Sequence, residues 1–69
     1  MAIGKVIEIS ASSTKGFEDA IQQGLGRATE TVEDVRGAWI KEFEVRMENG
    51  KIAEYRVNMK VTFLLHGKK

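Results

Sequence analysis

Apolar residues recur along this chain with two different periods, and the change from one to the other falls near Gly37. Phe17, Ala20, Ile21, Leu25, Ala28 and Val32 follow one another at spacings of three and four. That spacing gathers them on one stripe of a helix, with Glu18, Gln22, Arg27, Glu30 and Glu33 on the other side. It predicts one amphipathic helix over about Thr14 to Asp34. Ser13 is the candidate N-cap, and Glu18 and Asp19 stand in the first turns, where the positive end of the helix dipole favours carboxylates. Gly24 and Gly26 lie inside this stretch, where each lowers helix stability by up to about 1 kcal/mol relative to Ala. Glycines kept at that cost point to close approach of another backbone or a ligand.

Beyond Gly37 the period is two. Phe43, Val45 and Met47 alternate with Glu42, Glu44 and Arg46. After an Asn49–Gly50 pair, Tyr55, Val57, Met59, Val61, Phe63 and Leu65 alternate with Glu54, Arg56, Asn58, Lys60 and Thr62. Asn-Gly between alternating strands predicts a hairpin on a type I′ turn, which needs positive φ at both central residues. Upstream of the helix, Lys5 to Ser10 is short and rich in β-branched residues and reads as a first strand. The predicted fold class is α+β: a single domain over residues 1–69, in the order β-α-β-β, with a three-stranded antiparallel sheet curled around one helix. The helix is expected to cover the apolar face of the sheet. Glu42, Glu44, Arg46, Glu54, Arg56, Asn58 and Lys60 are left on the other face, with charges of both signs suited to pairing across strands or subunits.

Size changes this picture. A chain of 69 residues removes only about 60% of its extended-chain surface from water on folding, and scaffolds this small usually need disulfides, a metal or a partner subunit. There is no Cys and one His, so self-association is the staple that remains. The same inventory excludes Ser-His, Cys-His and most metal-hydrolase arrangements, and no pair of carboxylates is singled out by its spacing, so no enzyme is expected. With 11 Lys and Arg interleaved among 10 Asp and Glu, nucleic acid is not an expected partner. No apolar run approaches the length of a membrane span, and the N-terminal residues lack the pattern of a secretory signal. The expectation is a soluble cytoplasmic protein that does not engage membranes.

The single Trp, Trp39, is placed at the mouth of the hairpin, far from its densest apolar stretch. Its context, "KVIEISASSTKGFEDAIQQGLGRATETV" followed by a Trp at the start of the second strand and then "GKIAEYRVNMKVTF", resembles the dodecin family of small flavin-binding proteins, from about Lys5 to Leu65. The resemblance implies a homododecamer, a hollow shell that stores or buffers flavin, either riboflavin or FMN. It also implies that Trp39 stacks on the isoalloxazine ring, with a pair of flavins held between the Trp residues of two subunits. Many members carry Gln directly after the Tyr of the last strand; here that position is Arg56, which can donate hydrogen bonds but not accept them. Counted from Trp39, Arg46 matches the Arg that some bacterial members use toward flavin phosphate and ring. The segment between Trp39 and the Asn-Gly turn is about two residues shorter than in those members. A dodecin-like shell that lacks flavin and is structural or binds calcium is the alternative that the resemblance leaves open.

Overall fold

The computed structural model describes residues 3–65, and His66 lies outside the described residues. The order is β1 (Ile3–Ser13), α1 (Phe17–Thr31), β2 (Val35–Glu48) and β3 (Lys51–Leu65). All strand pairs are antiparallel and the spatial order is β1-β3-β2. The last strand is therefore the central one. Its inward residues Val57, Met59, Val61 and Phe63 are buried, and with Ala20 and Ala28 of α1 they form the core. The expected fold class and topology are those observed.

The bounds of β1, α1 and β2 differ from expectation. The first strand is longer, running from Ile3 through Ser13 as it pairs with Leu65 through Tyr55 of β3. Since Ser13 belongs to the sheet, it cannot cap the helix. The N-cap position is Gly16, in extended backbone and without a side-chain cap hydrogen bond. The Ser13 hydroxyl instead donates to Asp19 Oδ2 at 2.6 Å and accepts the Lys15 N–H at 2.9 Å. The helix ends at Thr31, with β-branched Val32 already extended, and the chain turns at Asp34, whose φ is 58°. Gly37 sits inside β2 opposite Thr62, so the reversal precedes it.

Gly24 and Gly26 separate cleanly. A Cβ on Gly24 would lie 2.5 Å from Met59 Cε and 2.9 Å from Ala11 Cβ, whereas one on Gly26 would meet nothing within 4 Å. Gly24 is the close approach that lets α1 settle on β1 and β3; Gly26 faces open space.

The helix covers only part of the sheet's apolar face. Fifteen helical residues span about 22 Å, while the fifteen residues of β3 span about 50 Å. The hairpin therefore runs on past the helix as an arm, and the molecule measures 57 × 19 × 13 Å. Phe17 covers the base of the arm, edge-on to Phe43 and Tyr55 at 5.0 and 5.1 Å. Farther out, Val45, Met47 and Ile52 stay exposed, and Phe43 itself is 58% exposed. The expectation that the helix satisfies this face holds only for its inner half.

The Ser13–Asp19 contact has a pH signature. Hydrogen bonds from Ser13 and then Gln23 hold the Asp19 carboxyl below its ordinary range against a smaller opposing effect of desolvation, with the charge of Lys15 contributing least. A carboxyl lowered on folding contributes stability that is present above its unfolded value, near pH 4, and lost as pH falls through its folded value. Ser13→Ala should therefore make the thermal midpoint less dependent on pH below about 4. Thermal melts from pH 7 down to 2 check this, and identical pH profiles for parent and variant would remove Ser13 as the cause.

Candidate functional site on the open sheet face

The register places Trp39 on the face of the sheet opposite the helix. Ala38 pairs with Val61 and Ile40 with Met59 on the inner face, while Trp39 pairs with Lys60 between them and points the other way. The ring is 68% exposed. A large flat side chain held this open has no core to fill within the chain, and its exposed ring is available for offset stacking, which contributes about 0.5–1.5 kcal/mol beyond area burial.

Around the platform, polar groups are mostly engaged within the chain. Thr62 Oγ1 donates to the Gly37 carbonyl at 3.2 Å, and Asn58 Nδ2 to Glu42 Oε1 at 2.8 Å. Lys41, the extra residue at a bulge in β2, reaches across β3 to Glu8 at 3.0 Å, a contact that raises the Lys41 ammonium above its usual range. Lys60 lies beside the indole, with Nζ 5.9 Å from the ring centroid.

Arg46 and Arg56 occupy the same face as Trp39 but stand elsewhere on it. Both bind Glu54 Oε1, at 3.3 and 3.5 Å, with Arg46 directly opposite Glu54 in the ladder. The Glu54 carboxyl is held below its ordinary range, first by a hydrogen bond from Ser12 and then, against some desolvation, by the two guanidiniums. Arg56 is four residues along β3 from Lys60, about 13 Å at the rise of a strand. One chain thus brings the two arginines together, apart from its own Trp39.

The model of the Dodecin family matches residues 3–66, nearly the whole chain. The chain belongs to the dodecin family. Calcium dodecin of Mycobacterium tuberculosis is 30% identical over 63 residues, which is 91% of this chain and 89% of that protein. Among solved structures, the dodecin of Streptomyces davaonensis superposes with a TM-score of 0.91 at 30% identity, covering 96% of this chain and 97% of that one. A single-residue variant of the Thermus thermophilus dodecin reaches 0.93 at 29% identity, covering 99% of this chain and all of the other. The β-α-β-β fold of this chain is the dodecin fold, and Trp39 and the Glu54 cluster lie on the sheet face opposite the helix.

Sequence reasoning singled out Trp39, Arg56 and Arg46 but missed Lys60 as the platform's neighbour. A signal was available. The extra residue in β3 at Ala53 and the one in β2 at Lys41 offset each other, so an unbroken ladder counted back from the Asn49–Gly50 turn already sets Lys60 opposite Trp39.

Proposed function

We propose that this protein is a flavin-binding storage or buffer protein, assembled as a homododecamer in the cytoplasm, in which Trp39 stacks on the isoalloxazine ring of riboflavin or FMN. The observation that carries the reading is the exposed Trp39 ring on a rigid strand of the open face. Its indole fits a planar ligand on one side only, so a second copy of the chain is needed to close the other side of the ligand or ligand pair. When bound, the flavin supplies a redox-active ring whose excited state can take an electron from the stacked indole. The role of the chain is to bind, shield and release, without turnover.

Arg56 and Arg46 donate hydrogen bonds and carry positive charge. Within one chain both are held on Glu54, about 13 Å along the strand from the Trp39–Lys60 pair, and in this reading they meet the carbonyls or phosphate of a flavin seated on a neighbouring subunit's Trp39.

Self-association is supported by shape. The radius of gyration is 14.5 Å, against about 11 Å for a compact domain of this length. The excess is the uncovered arm with Phe43, Val45, Met47 and Ile52. A second uncovered surface is an open groove of ≈ 480 Å³ between α1 and β1, whose apolar lining includes Ile7, Ile9, Ala11 and Ala28. Copies of the chain packed against these surfaces supply the burial that one chain lacks.

A calcium-binding shell is the second reading, favoured by the similarity to the calcium dodecin of M. tuberculosis, which also has a solved structure with a calcium-binding site at TM-score 0.81 and 31% identity, covering 97% of this chain and 96% of that one. Among the described residues, no group of three or more His, Cys, Asp or Glu side chains could hold a metal within one chain, so such a site would draw on carboxylates of several copies.

Native mass spectrometry combined with pigment release distinguishes the two readings. The flavin reading expects a twelve-subunit species whose acid extract contains flavin or which takes up added riboflavin. A shell that takes up no flavin and whose thermal midpoint rises with calcium would replace it with the second reading. A species that stays monomeric or dimeric at micromolar concentration would remove the dodecamer from both.

A further inference from the structure

Lys60 is the cation that the fold sets against the platform, and its position is unlike that of its neighbours. Glu8, its partner across the β1 ladder, is engaged by Lys41, and Glu42 and Asn58 bind each other. Among the described residues Lys60 makes no ion pair; its ammonium lies over the Trp39 ring at 5.9 Å from the centroid. The ammonium stands on one side of the indole, and a ring stacked on that side must displace it.

We propose that Lys60 selects the ligand by charge, favouring a planar ring that carries a phosphate monoester over the neutral ring. The inference rests on the reading of Trp39 as a stacking platform. For a ring to lie on that side of the indole, the ammonium must leave the face and give up its cation–π attraction. A neutral ligand returns nothing for that loss. A phosphorylated one does, because the flexible four-carbon stem lets the ammonium swing to the edge of the stack and pair with the phosphate. Lys60 thus competes with neutral rings and recruits anionic ones. Arg46 and Arg56 do not act this way at the same platform from within the chain, since Glu54 holds them about 13 Å along the strand.

The test compares riboflavin with FMN in fluorescence titrations at low and high salt, using the intact assembly of the parent, Lys60→Met, Lys60→Arg and Trp39→Ala. In Lys60→Met, riboflavin should bind about two- to fivefold more tightly once the competing cation is gone. The preference for FMN over riboflavin should fall by up to about fivefold, the range of a partly exposed ion pair. Salt should shrink the parent's preference more than that of Lys60→Met, which keeps only what Arg46 and Arg56 of a neighbouring subunit contribute. Lys60→Arg should keep the preference. Inorganic phosphate added with riboflavin should not reproduce it; if it does, attachment of the anion to the ring is not what Lys60 reads, and the proposal is overturned. An unchanged FMN-to-riboflavin ratio in Lys60→Met, with binding still lost in Trp39→Ala, overturns the role of Lys60 and leaves the platform standing. Binding that survives Trp39→Ala overturns both.

Discussion

Trp39→Ala is expected to weaken riboflavin binding about tenfold or more while leaving the assembled shell intact. Loss of a stacking partner costs on the order of 1–3 kcal/mol by analogy with base–aromatic stacking, and about 1.4 kcal/mol is one factor of ten. The fold does not depend on this side chain. It faces away from α1, and the core of Ala20, Ala28, Val57, Met59 and Val61 is complete without it. A flavin titration paired with size-exclusion chromatography separates the outcomes. A variant that assembles and still quenches flavin like the parent would show that the ring does not bind there. A variant that falls apart would make Trp39 an interface plug, and any change in flavin affinity would then be secondary.

Gly24→Val is expected to destabilise the protein by roughly 1–3 kcal/mol, the usual consequence of forcing extra volume into a packed core. The first added carbon already meets Ala11 Cβ at 2.9 Å and Met59 Cε at 2.5 Å. The thioether could rotate, but Met59 is fully buried and Ala11 Cβ is fixed to the β1 backbone, so helix and strand must move apart. Gly26→Ala should do the opposite and stabilise by up to about 1 kcal/mol, because its site is open and Ala favours the helix. Denaturant unfolding of the two variants checks both signs together. Stabilisation by Gly24→Val would mean that α1 does not sit this close to the sheet.

Much of this architecture was legible in the sequence, because each element carries its own period. The two-residue alternation, the Asn49–Gly50 pair and the helical stripe carried the β-α-β-β order and the antiparallel sheet, and both turn residues do adopt positive φ, at 51° and 77°; that β3 lies between β1 and β2 rests on long-range pairing. Helix ends were less legible. Ser13 looked like a cap because hydroxyl residues favour that position, but its pairing with Tyr55 kept it in the sheet, a long-range contact that a local pattern does not show. The length of the arm was also hidden, since alternation states which face is apolar and not how far a helix reaches along it.

For the candidate site, residue type pointed to Trp39 and register decided its company. An unbroken ladder from the turn would set Arg46 opposite Ala53 and Phe43 opposite Arg56. The extra residue at Ala53 instead brings Arg46 to Glu54 and Phe43 to Val57. That bulge could have been inferred, because without it the apolar residues of β2 and β3 would point to opposite faces. The three-residue step from Ile40 to Phe43 marks the second bulge in the same way. How Arg46 and Arg56 of one subunit stand toward Trp39 of another depends on assembly, which the sequence of a single chain does not encode locally.

Because Trp39 is the only Trp in the chain, its own emission reports on the platform without labelling. The most direct measurement is a titration of riboflavin into the purified assembly, following indole and flavin emission together. Stacking on Trp39 predicts that both fall in parallel and level off at one flavin per subunit. Flavin emission that stays at its free value, with the indole unchanged beyond optical filtering, would contradict the assignment of this protein as a flavin binder.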